Sequence, residues 1–175
     1  MKKSYIVVTP FFPTPESFRG PFVYDQVKAI KECSDYEVFV FKPTSFRDKT
    51  DSYDYDGIKV ILFRSIESPS YLFNGMFNGI NANNFVNRFK SIGISIDSVA
   101  AVHCHTSSFG AYGLALKKLN PNIKVLLQHH DKDPFTILNG KFANWKLNSC
   151  YRAKKNIKIF NPKIRKQSQW QSQLQ

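Results

Sequence analysis

A doubly wound, mostly parallel α/β sheet flanked by helices is the fold class this sequence predicts, and three observations predict it. Short apolar, β-branched runs alternate with segments of helical period along most of the chain. The runs at residues 99–105 and 123–128 are nearly continuous in apolar side chains, the mark of strands buried on both faces. Polar, Pro-rich or Gly-containing loops follow the first, fourth and fifth apolar runs, where the carboxyl edge of such a sheet holds its ligands.

Taken in order, residues 4–9 form the first strand and run into a loop punctuated by Pro10, Pro13, Pro15 and Pro21. Gly20-Pro21 starts a helix over 21–33, with Val23, Val27 and Ile30 on its inner face. Residues 36–41 form the second strand. An aspartate-rich stretch up to Asp56 precedes Gly57 and a third strand at 58–63. One or two helices occupy 74–90, with Asn and Gly blurring their ends. The fourth strand ends at His105, and Ser107 and Ser108 supply N-caps for a helix whose inner face is Ala111, Leu114, Ala115 and Leu119. Asn120-Pro121 ends that helix. The fifth strand closes on His129-His130-Asp131, and a further helix falls within 140–155. Residues 1–155 thus make one domain, followed by a basic, Gln/Ser-rich tail at 156–175.

Composition narrows the function classes. No apolar run is long enough to span a bilayer, and the opening run is cut by Thr9-Pro10, unlike a signal peptide. Three widely spaced cysteines, Cys33, Cys104 and Cys150, contain no C-x-x-C pair, so each is expected as a buried or half-buried free thiol in a reducing, cytoplasmic compartment. The net charge of +12 is uneven: residues 146–175 carry eight Lys and Arg and no carboxylate. Attraction to an anionic membrane surface would concentrate there, though the same charges also suit a merely solvated end. No aromatic-interleaved motif points to nucleic acid, so none is expected as a partner.

Candidate chemistry lies in the strand-end loops. Gly20 opens a helix, where backbone N–H groups and the dipole favour a phosphate; the alternative is a plain turn glycine. No G-x-G-x-x-G fingerprint accompanies it. His103 and His105 share a strand face, His103 as a hydrogen-bonded core residue and His105 at the strand end, either in the core or lining a cleft. No third ligand is near them, and no metal site is expected. In His129-His130-Asp131 one histidine at most faces a cleft, where it can act as acid, base or donor to a substrate oxygen. A Ser-His-Asp triad lacks its G-x-S-x-G elbow.

Four segments in register carry a resemblance. They are Ile6 to Pro13, Gly20-Pro21, Val102-His103-Cys104-His105-Thr106 and Val125 to Asp131. Together they resemble the N-terminal domain of the family-4 glycosyltransferases, retaining enzymes of the GT-B fold, over roughly residues 4–155. The resemblance implies one Rossmann-like half of that fold, holding a glycan or lipid-linked sugar acceptor. A C-terminal domain would bind the nucleotide-sugar co-substrate through a pair of glutamates, with no bound cofactor or metal. It implies that Gly20 approaches the donor phosphates and that His105, Thr106 and Asp131 line the substrate. His130 takes the catalytic place at the reacting centre, chosen over His129 because it directly precedes the loop. Many relatives have a glycine pair where this chain has Arg19-Gly20, and no donor-binding glutamate pair follows. The expectation is therefore half an enzyme, inactive in transfer on its own, cytoplasmic or peripheral at the inner membrane face. The competing reading is a non-catalytic binding module for a glycan, a lipid surface or a partner protein.

Overall fold

The computed structural model describes residues 2–66 and 77–129. Six strands form one sheet: β1 Ser4–Val8, β2 Glu37–Ser45, β3 Tyr53–Tyr55, β4 Ile58–Ser65, β5 Val99–His105 and β6 Lys124–Gln128. Their spatial order is β3-β4-β2-β1-β5-β6. All pairings are parallel except β3 with β4, an antiparallel hairpin closed by Asp56-Gly57. Both turn residues have positive φ, the requirement of a two-residue hairpin turn, and a D-G pair is the sequence signal for it. The third apolar run therefore has a short antiparallel partner upstream of it that the aspartate-rich stretch was not expected to form.

Among the described residues three helices cover the two faces: α1 Pro21–Cys33, α2 Asn78–Ser91 and α3 Gly110–Leu119. On one face Val23 and Val27 of α1 pack with Tyr5, Val7, Val38, Val40, Val60 and Ala101. On the other, Phe85 and Phe89 of α2 and Tyr112 and Leu116 of α3 pack with Ile6, Val8, Phe39, Phe41, Phe63, Val102 and Cys104. Each central strand feeds both cores with alternate residues, which is why its sequence reads as one apolar run. This is the expected doubly wound, mostly parallel α/β sheet, Rossmann-like in its strand order.

Some local expectations are corrected. Strands β2 and β4 each continue past their expected ends, to Ser45 and Ser65. The serines after β5 lie in a short 3-10 turn, Ser107–Phe109; α3 begins at Gly110 with Phe109 at its N-cap and no side-chain cap. The inner face of α3 is Gly110, Tyr112, Gly113 and Leu116, while Leu119 is 44% exposed. Gly113 sets that phase. A Cβ there would lie 2.5 Å from Val125 Cγ1 and 3.0 Å from Cys104 Sγ, so the helix backbone itself rests on the sheet. Cys33 is exposed rather than buried. The helix expected within 140–155, Cys150 and the basic tail lie outside the described residues.

Candidate functional site

The strand order reverses between β1 and β5, so the loops leaving their carboxyl ends part company there and leave a crevice. The register aligns the edge of that crevice. Val8 pairs with Phe41 on one side and Cys104 on the other, and His105 pairs with Gln128. One residue further along each strand come Lys42, Thr9, His105 and Gln128, a row of four polar side chains across β2, β1, β5 and β6. By strand alternation all four lie on the α1 side, below the loop from Pro10 to Gly20. Each directly follows an apolar residue in the sequence, a signal that was legible for His105 and overlooked for Lys42, Thr9 and Gln128.

The row is structured. Thr9 is fully buried, and its hydroxyl turns back on the Phe11 N–H and carbonyl, each at 3.1 Å. Lys42 is half-buried and donates from Nζ to the Phe12 carbonyl at 3.1 Å. Burial, with the Arg19 charge second, pulls its ammonium below the ordinary lysine pKa. His105 is fully buried and stacks on His103, ring centroids 4.5 Å apart. His103 lies 3.3 Å by Nδ1 from the Tyr5 hydroxyl, in the core position expected of it.

Thr106 leaves the strand with φ 73°, a left-handed conformation that a β-branched side chain adopts at a cost. Three contacts hold it there: its N–H donates to the Gln128 carbonyl at 2.8 Å, its carbonyl accepts from Phe109 N–H, and its hydroxyl lies 3.3 Å from that of Ser108. The bond to Gln128 ties the end of β5 to the residue before His129, which is half-buried. His130 and Asp131 lie outside the described residues.

Gly20 is the N-cap of α1 at φ 76°, with no side-chain cap and no acidic residue in the first turn. A Cβ there would lie 2.8 Å from the backbone carbon and oxygen of Phe11, so glycine is required to fold the loop onto the end of β1. Around it Phe11, Phe18 and Phe22 are exposed, and the Phe18 ring meets Tyr24 of α1 with centroids 6.0 Å apart. Gly20 and His105–Thr106 thus belong to the carboxyl ends of neighbouring strands. Cys104, one residue inward, is fully buried in the core on the opposite face, and burial pushes its thiol up to about 12.

Among the described residues no group of three His, Cys, Asp or Glu side chains is placed to hold a metal ion, and no helix is long and apolar enough to cross a membrane.

The architecture defines the class to which the chain can be compared: doubly wound, Rossmann-like α/β domains. Two solved structures of sucrose-phosphate synthase from Thermosynechococcus elongatus, a GT-B glycosyltransferase, share it. One superposes with a TM-score of 0.59 at 11% identity over 89% of this chain. The other does so with a TM-score of 0.50 at 15% identity over 75% of this chain. The chain spans 40% and 65% of those two structures respectively. No family model matches the sequence, and no curated protein does.

Proposed function

We propose that this chain is the acceptor-binding half of a retaining, family-4-type glycosyltransferase. It would hold a glycan or lipid-linked sugar while a second, donor-binding domain presents a nucleotide-sugar. The single observation that carries this reading is the polar row Lys42, Thr9, His105 and Gln128. It lies across the strand ends at the point where the sheet order reverses. Phe11, Phe18 and Phe22 offer flat faces to the apolar side of a pyranose. Arg19 and the uncapped start of α1 offer positive potential to the donor phosphates, the role given to Gly20.

In this reading Thr106 presents its hydroxyl and strained peptide to the acceptor, and His105 acts from below as a positioning residue. His130, two residues beyond the Gln128 carbonyl that anchors Thr106, contacts the sugar at the reacting centre, with Asp131 beside it. Charge on the departing nucleotide diphosphate, a large part of such catalysis, falls to the second domain. The chain then works without a resident cofactor or metal, in the cytoplasm or at the inner membrane face.

Saturation-transfer NMR with the isolated chain tests the acceptor role. A panel of neutral and lipid-linked saccharides should include one that binds. That binding should weaken at least tenfold in Thr106→Ala and in Phe18→Ala, and radiolabelled nucleotide-sugars should give no transfer. Turnover by the isolated chain would refute the half-enzyme reading. Sedimentation with anionic liposomes, with and without residues 156–175, separates the membrane-module alternative, which predicts pelleting that is lost on truncation.

A further inference from the structure

A second recess lies on the far side of the sheet from β5. It has a volume of about 520 Å³, its walls are the loop after β2 and helix α2, and its floor is the outer edge of β4. Three strand spacings of about 4.8 Å separate β4 from β5, so the recess lies roughly 14 Å across the sheet from the histidines. The volume falls within the ordinary range of small-ligand sites, about 300–1,000 Å³.

Its lining is unusual in kind. Arg64 and Arg88 supply guanidinium groups, Asn84 and Asn87 carboxamides, and Thr50, Ser52 and Ser91 hydroxyls, against a single carboxylate, Asp51. Phe46 stands at the margin, 59% exposed, with no role in either core. Several of these groups are already fixed in direction. Arg88 donates from Nε to the Leu62 carbonyl at 3.2 Å and from its two terminal nitrogens to Ser52 Oγ at 3.1 Å and Ser91 Oγ at 3.4 Å. Arg64 donates to the Ser45 carbonyl at 3.1 Å, and Asn84 to the Arg64 carbonyl at 3.1 Å. A guanidinium has five N–H donors, so both arginines keep donors to spare while their positions are set. Binding there costs little side-chain ordering.

We infer that this recess is a binding site for a short acidic saccharide, distinct from the crevice at the carboxyl ends of β1 and β5. Carboxamides and hydroxyls match a sugar's array of hydroxyl groups as both donors and acceptors. The two arginines take the carboxylate or other anionic substituent in the fork geometry that guanidinium favours. Phe46 covers the apolar face of a ring. A peptide lying along β4 as an added strand is disfavoured, because side chains already bond the edge: Ser52 and Arg88 at Leu62, Asn84 at Arg64. The inference does not depend on the proposed transfer reaction, since the site could hold a glycan whether or not the crevice transfers a sugar.

The test is an amide and arginine-Nε NMR titration of the full 175-residue chain with trigalacturonate, maltotriose and inorganic phosphate in parallel. Trigalacturonate should shift Arg64, Asn84, Asn87 and Arg88 while leaving Gly20 and Thr106 in place. Its affinity should fall at least tenfold in Phe46→Ala and in Asn87→Ala, both exposed positions whose variants keep a dispersed spectrum. Equal affinity for maltotriose overturns the acidic specificity, and equal affinity for phosphate reduces the site to a simple anion contact. Either result defeats the inference, as do shifts centred on Gly20 and Thr106 or no shifts at millimolar ligand.

Discussion

Thr106 and Gly113 show how single residues set the strand ends. At Thr106 the left-handed φ places a β-branched residue where glycine belongs. Thr106→Gly relieves strain of about 1–3 kcal/mol and gives back about 0.5–1 through the freer unfolded chain. We expect a net gain of about 1 kcal/mol, read as a higher thermal midpoint; a lower midpoint would remove the argument that stability is given up here for function. Gly113 works in the opposite sense. Gly113→Ala pushes a methyl to 2.5 Å from Val125 Cγ1, where neither helix nor strand can yield freely. A loss of about 1–3 kcal/mol in urea unfolding is expected. Part of it should return in the double variant with Val125→Ala, because the two changes share one contact.

At the scale of elements, α2 explains its own composition. Asn81, Asn84 and Arg88 recur at helical spacing and bond the outer edge of β4. Asn81 accepts from Ile66 N–H at 2.7 Å and donates to its carbonyl at 3.1 Å, Asn84 reaches the Arg64 carbonyl, and Arg88 reaches the Leu62 carbonyl. Two asparagines, poor helix formers, thus join Arg88 in covering a strand edge beyond the short hairpin partner β3, the exposed feature most open to mispairing. Asn81→Ala leaves the Ile66 peptide without its partner on both sides and should cost about 1–3 kcal/mol, with Asn81→Asp intermediate because it keeps only the acceptor. The loop after β2 depends on a carboxylate. Asp48 accepts from the Thr44 and Thr50 hydroxyls and the Thr50 N–H, which lowers its pKa from 3.8 to about 2. A depressed folded value means this contribution is complete above about pH 4 and disappears as pH falls through about 2. Exchange of the Thr50 amide should therefore accelerate, after correction for its intrinsic rate, as pH falls from 4 to 2. Asp48→Asn should show no such step.

Across the whole molecule, α1 lies on one face of the sheet and α2 and α3 on the other, and the reversal of strand order between β1 and β5 makes the crevice. The runs of apolar residues were enough to name the layer architecture, the span of α1 and the span of β5, since burial on both faces and helical period leave direct marks in the chain. Other features carry local marks as well: Asp56-Gly57 is a hairpin-turn pair, and the apolar-to-polar steps at Val8-Thr9 and Leu127-Gln128 coincide with the strand ends. What no local pattern held was the phase of α3. Its inner face follows from Gly113 meeting Val125 and Cys104, and from Tyr112 meeting Phe63 and Phe85. Nor could spacing along the chain bring Arg64, Arg88 and Ser52 to one recess. Alternation and helical period are properties of consecutive residues, so the sequence by itself determined the elements and their layers. Register, close approach and the grouping of Lys42, Thr9, His105 and Gln128 depend on contacts between residues far apart in the chain, and only the packed sheet decided those.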